Sequence, residues 1–205
     1  MRKLAIFLSF VVALVAGVAA ASAIIPAQGS DTLNGPDALQ PNGNGARIAA
    51  TTPDPAGHQD LAVRVYQSKT GLTCPEAART DGDNFGQLDA DGTFKPLDVQ
   101  AAGSCIDLTN APMSAVVNNY AATGARPAYA VVFGVVSPKV AGATITLGGR
   151  SRPVSVTDGA YIVATNQAEL ADASVQATLT DGSTKTYPLA GTSSSPREPS
   201  PLLVP

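Results

Sequence analysis

Residues Val131–Val163 read VVFGVVSPKVAGATITLGGRSRPVSVTDGAYIV. The run alternates β-type segments with tight-turn dipeptides, and it sets the fold class for the chain. In its first segment Val131, Phe133 and Val135 fall on one side, the period-2 pattern of a strand. In the second, Ile145 and Leu147 alternate in the same way. Gly148-Gly149 then supplies a two-residue hairpin turn. Val154 and Val156 are the expected inward partners of Ile145 and Leu147. Asp158-Gly159 turns the chain again into a strand, TDGAYIVAT.

The same grammar extends both ways. Downstream, VQATLTDGSTKTYPL turns at Asp181-Gly182, and Val175, Ala177 and Leu179 alternate before it. Upstream, LAVRVYQS places Leu61, Val63 and Val65 on one face and Arg64 on the other, a half-buried strand. FGQLDADGTFKPLDV reads as a hairpin, Phe85 to Leu88 and Thr93 to Val99, turning at Asp91-Gly92. Short segments rich in β-branched residues, separated by Asp-Gly and Gly-Gly turns, specify an all-β sandwich or barrel. Helical signals are slight. TCPEAAR, with Thr73 as cap and Pro75 near the first helical position, and NQAELADAS, Asn166 to Ser174, each suggest a turn or two.

Gly134, Gly142-Ala143-Thr144-Ile145-Thr146-Leu147 and Thr157-Asp158-Gly159-Ala160-Tyr161-Ile162-Val163 follow one another in the order strand, glycine, loop, strand, hairpin and T-D-G-x-aromatic strand. This half resembles bacterial Ig-like and carboxypeptidase regulatory-like sandwich modules. The resemblance covers roughly a third of the chain and is a fold-level pattern. It implies a small antiparallel β-sandwich without catalysis and carries over no functional residue. The whole chain looks like an exported bacterial protein.

The beginning of the sequence supplies an address. Arg2 and Lys3 precede an uncharged apolar run, Leu4 to Ala20, and Ala21-Ser22-Ala23 offers the small-x-small pattern of a signal peptidase site. No charge occurs between Lys3 and Asp31, so the same segment is long enough for a membrane anchor. Either way the remainder is placed outside the cytoplasm. The expected organisation is a signal peptide or anchor helix over 1–23, a disordered linker over 24–60, a cysteine-bearing β subdomain over 61–125, an Ig-like sandwich over 126–190 and a disordered tail over 191–205. The linker and tail rest on density in Pro, Gly, Asn and Ser without apolar period. The alternative of one sandwich across Leu61 to Ala190 stays open. Asn110 to Ala128, with Pro112, Gly124 and Pro127, is the expected junction.

Composition narrows the function. Only 14% of residues are charged and the net charge is −3, with no basic patch to neutralise phosphates, which argues against nucleic acid. Cys74 and Cys105 are an even pair in an exported chain and are expected to form a structural disulfide. Asp81, Asp83, Asn84, Asp89 and Asp91 crowd oxygen donors into one loop and make a weak calcium candidate. An EF-hand template started at Asp81 fails, because Phe85 takes a ligand position and Gly92 stands in place of the closing Glu. Asp-Gly pairs are equally what tight turns require. The one histidine, His58, lies in the expected linker, and no G-x-S-x-G, P-loop or dinucleotide motif occurs. Trp is absent, leaving Tyr66, Tyr120, Tyr129, Tyr161 and Tyr187 as ring platforms. Arg150 and Arg152 read as a solvated turn or a minor anion site.

These residues name no catalytic group, cofactor or metal. They lead to a non-catalytic extracytoplasmic β-sandwich with a structural or partner-binding role at the cell surface. Its partner is an unidentified protein or surface component, and the membrane enters only through an uncleaved N-terminus. The competing expectations are an exported hydrolase with a non-standard acidic site and a membrane-anchored sensor or assembly partner.

Overall fold

A computed structural model describes residues 36–89, 91–99, 104–122, 127–189 and 193–194. The N-terminal apolar helix, the signal or anchor segment, the first part of the expected linker and nearly all of the tail lie outside them. Among the described residues, strands run in the order β1 Arg47–Thr52, β2 Leu61–Gln67, β3 Thr73–Asp81, β4 Asn84–Leu88, β5 Phe94–Pro96, β6 Val116–Tyr120 and β7 Tyr129–Val135. There follow β8 Val140–Leu147, β9 Arg150–Val154, β10 Ala160–Asn166, β11 Ser174–Leu179, β12 Thr184–Pro188 and β13 Ser193–Ser194. The fold is all-β, as the sequence predicts, and apart from the short β13 every pairing is antiparallel.

β7 explains the architecture, because it is buried along its whole length. Val131, Phe133 and Val135 pack on one side with Leu61, Val63, Val65, Ala160 and Ile162. Ala130 and Val132 pack on the other with Ile145, Leu147, Val154, Val175 and Ala177. A strand apolar on both faces belongs between two layers. Accordingly the described residues form three sheets, with strand orders β1-β2-β3-β4-β5, β10-β7-β6-β13 and β12-β11-β8-β9. The second sheet is the middle layer and contributes to both cores. Each Val or Phe so enclosed contributes about 1.5–3 kcal/mol.

Closeness within the middle sheet depends on one glycine. Gly134 pairs with Tyr161 across β7 and β10. A Cβ at Gly134 would run into the Ser114 carbonyl oxygen and come within 2.9 Å of the Tyr161 ring. That carbonyl accepts the Tyr161 hydroxyl proton at 2.9 Å, so a fully buried phenol keeps its hydrogen bond. The glycine in the opening motif is there for close approach rather than for a turn.

Several expectations need correction. Arg47–Thr52, inside the expected linker over 24–60, forms β1 and pairs with β2 from Arg47↔Val65 to Thr52↔Leu61. Ala49 and Ala50 are buried there; their small side chains carried too little apolar signal to mark a strand. TCPEAAR is not helical: it is the start of β3, partly buried and paired to β2 with Cys74 opposite Tyr66. Tertiary pairing overrides the helix propensity of Glu76-Ala77-Ala78. The expected junction over Asn110 to Ala128 contains β6, which pairs with β7 from Val116↔Phe133 to Tyr120↔Tyr129. The boundary near residue 125 therefore falls between two partners of one sheet. Val156 is 39% exposed, since the chain has left β9 by then, and only Val154 joins the core. The hairpins at Asp91-Gly92, Gly148-Gly149 and Asp181-Gly182 form as expected, and NQAELADAS gives a single 3₁₀ turn, Gln167–Leu170, capped by Asn166.

Candidate functional site

The stapled acidic loop divides into three separate features. Cys74 and Cys105 are bonded, with a Cα–Cα distance of 4.0 Å across 31 residues. Along most of its length β3 is flanked by β2 and, from Arg79 to Asp81, by β4. At the Thr73 end, where β4 does not reach, residues 104–106 take its place. The Thr73 and Ile106 amides donate to each other's carbonyls at 2.8 and 2.9 Å, and the Ser104 hydroxyl donates to the Pro75 carbonyl at 3.0 Å. The disulfide fastens that added edge and is buried with Tyr66 and Leu72.

The five oxygen donors of the calcium candidate do not converge. Asp81, Asp83 and Asn84 belong to the β3–β4 turn, whereas Asp89 and Asp91 belong to the β4–β5 turn. The five-residue strand β4 separates the turns by about 16 Å at the usual rise per residue. Asp89 and Asp91 both accept the Thr93 amide, at 3.0 and 2.8 Å, and Asp89 pairs with Lys95 at 2.7 Å. A hydrogen bond with the Asp91 carboxyl, followed by the one with Lys95, lowers the Asp89 pKa to about 2. The aspartates act here as turn formers. Among the described residues no three His, Cys, Asp or Glu side chains gather into a metal site.

A constellation the sequence reading missed lies between the first and middle sheets. Arg79 stands opposite Leu61 on the inward face of its sheet, where a guanidinium needs partners on all sides. It donates to Asp54 Oδ2 at 2.5 Å, to the Gln59 carbonyl at 3.1 Å and to the Tyr129 hydroxyl at 3.0 Å. The Asp54 side chain is fully buried and also accepts the amides of Ala56 and His58, at 3.0 and 3.2 Å. Tyr129 stacks on Tyr120 with centroids 4.7 Å apart and planes 4° from parallel. The Gln167 amide donates to the carbonyls of both tyrosines, at 3.2 and 3.3 Å. Thr165 and Glu169 are hydrogen-bonded beside them.

The electrostatics of this group favour rigidity. Burial pushes the Asp54 carboxyl up, but the Ala56 amide, the Arg79 guanidinium and the His58 amide together outweigh it and hold the pKa below 3.8. Burial dominates at Tyr129 and pushes its phenol well above the ordinary value, against the pull of Arg79. Asp54 thus stays ionised and Tyr129 stays protonated at neutral pH. Neither is poised for proton transfer near neutrality. Comparison with protein-family models, curated proteins and solved structures gives no similarity to this chain.

The remaining candidates are dispersed. Arg150 and Arg152 lie on the exposed strand β9, opposite Leu147 and Ile145. Tyr66, Tyr129 and Tyr161 are buried, and Tyr120 and Tyr187 are half-buried, so the tyrosines serve the cores. Arg64, predicted to face away from the first core, does so without reaching solvent. It holds Glu76 at 2.7 Å, donates to the carbonyls of Leu97 and Asp98 at 2.6 and 2.9 Å, and lies 4.2 Å from the Phe85 ring centroid. The clue to Arg64 was available, since an Arg inside an otherwise apolar strand demands a buried acceptor; Arg79 follows a helix-like run and had no such clue. Their acceptors, 12 to 50 residues away, carried no local signal.

Proposed function

We propose that this is a non-catalytic extracytoplasmic scaffold, secreted or held on the outer face of the membrane, with a structural or partner-binding role at the cell surface. The observation that carries the reading is the buried Cys74–Cys105 disulfide, taken with an N-terminal sequence that reads as an export segment. Such bonds persist in oxidising compartments. The use of the buried charges supports it further. Arg64 and Arg79 are both spent on fastening covering segments to the first sheet. A rigid platform of this kind suits presentation of a surface rather than turnover.

The uncharged run from Leu4 to Ser30 favours a second version of the same role, in which the N-terminus remains as an anchor. Fractionation of producing cells, N-terminal sequencing and a thiol count under denaturing conditions test both. Export with no free thiol is expected; an N-terminus at Ile24 selects the secreted version and an intact Met1 the anchored one. A cytoplasmic protein with two free thiols overturns the reading. So does a hydrolase activity that disappears on replacing the Asp81–Asp91 carboxylates by Asn.

A further inference from the structure

An exposed strand edge offers unpaired N–H and C=O groups to any extended chain, and folded proteins block such edges with charges, Pro, bulges or short strands. Most edges here are blocked in that way. β1 has a register shift between Ile48 and Ala50, β5 has three residues ending in Pro96, β9 carries Arg150, Arg152 and Pro153, and β12 carries Lys185 and Pro188. β10 packs against β1 and β9. β6 differs. Its sequence, Val-Val-Asn-Asn-Tyr, has five residues without charge, Pro or Gly. On this edge the chain lays its own tail: Ser193 pairs with Val117 and Ser194 with Asn118, in parallel.

The approach is short. Leu189 is buried in the core between the middle and third sheets, and its amide donates to the Ala173 carbonyl. Four residues take the chain from there to Ser193, a reach of up to about 14 Å, enough to cross a sheet-to-sheet spacing of about 10 Å. Ser193 and Ser194 are small and uncharged.

We propose that the β6 edge is a strand-addition site for an extended, uncharged peptide segment, and that the chain's own Ser193–Ser194 occupy it. Recognition is by backbone hydrogen bonds, so it asks little of the side chains beyond being small and neutral. Held in cis, the tail acts at high effective concentration and keeps the edge closed to other chains. This goes beyond the scaffold reading and does not depend on where the protein resides.

The test uses the full-length oxidised protein and two variants, S193P/S194P and a chain ending at Ala190. Backbone amide exchange is followed in β6 and, as a fold control, in β7. In both variants the edge-facing β6 amides should exchange at least about tenfold faster than in the parent, with β7 protection kept. The capped peptide Gly-Thr-Ser-Ser-Ser, added at millimolar concentration, should restore protection in the truncated chain and leave the parent unchanged. Dimers of the truncated chain that protect β6 would also support the site, with a second copy as occupant. Equal β6 exchange in parent and variants overturns the proposal. So does faster exchange that neither the peptide nor a dimer reverses. If one variant loses β7 protection, the other carries the test.

Discussion

The first and third sheets solve the same problem in opposite ways. The third sheet, β12-β11-β8-β9, buries one face only: along β11, Val175 and Ala177 go in while Gln176 and Thr178 stay in solvent. Its hairpins close through Gly148-Gly149 and Asp181-Gly182, all local in sequence. The first sheet buries both faces. Its inner face carries Val63 and Val65 to the middle sheet, while its outer face, with Arg64, Tyr66 and Cys74, lies beneath irregular segments. Irregular cover cannot supply a ladder of backbone bonds, so it must be tied down. The ties on that outer face are the disulfide and the Arg64 clamp; the Arg79 network holds the β1–β2 connection on the inner face. A sheet with one wet face needs no such devices.

Arg79→Met should have the largest effect, because it leaves Asp54 as a buried carboxylate without its counter-ion. The expected loss is about 3–5 kcal/mol in denaturant unfolding at neutral pH. The acid dependence carries its own sign. In the parent, the lowered Asp54 pKa gives stability that is present above the ordinary carboxylate range and is lost as pH falls below about 4. In the variant, burial without Arg79 raises that pKa, so acid relieves the strain and the gap between the two proteins narrows. A gap that is constant with pH would show that Asp54 and Arg79 do not act as a pair.

Replacing Cys74 and Cys105 by Ala should cost about 3–4 kcal/mol by release of the closed loop. The change should open residues 104–106 to exchange first, since they depend on the staple. Gly134→Ala strikes the sheet that both regions share, where the nearest obstacle is backbone. About 2–3 kcal/mol is expected, and a loss below about 1 kcal/mol would show that Ser114 can move away. Gly148→Ala tests the third sheet, where the φ of 54° disfavours a side chain but the nearest atom, Glu169 Cγ at 3.5 Å, makes only an ordinary contact. About 1 kcal/mol is expected there. The smallest effect is Lys95→Ala, which removes one of the groups lowering Asp89. The Asp89 carboxyl should titrate above the parent value of about 2, with no measurable change in unfolding; an unshifted titration would leave Asp91 and the Thr93 amide as the causes.

The same contrast explains what was legible in the sequence. Strands of the third sheet alternate regularly and end at Gly-Gly or Asp-Gly, so periodicity and turn chemistry locate them. Cys74 and Cys105 pair because only two cysteines exist. β1 was hidden because Ala49 and Ala50 are its buried residues, set among Thr and Pro. β3 was hidden because Pro-Glu-Ala-Ala is a helix-like run that becomes a strand only beside β2. The middle layer was half-visible: Val131-Val132-Phe133 is apolar on successive residues, the mark of a strand buried on both faces, though alternation alone points to one. The Asp54–Arg79–Tyr129 network joins residues 25 and 50 apart, and nothing local marks such a meeting.

Central to all of this is the shared middle sheet, which makes the two cores one cooperative unit rather than two subdomains. The direct measurement is denaturant unfolding of the oxidised protein followed separately by methyl signals of Val63, in the first core, and Val175, in the second. The two curves should superimpose, with one midpoint and one slope. Two separated midpoints, with Val175 remaining native after Val63 has unfolded, would contradict it and restore an independent C-terminal sandwich.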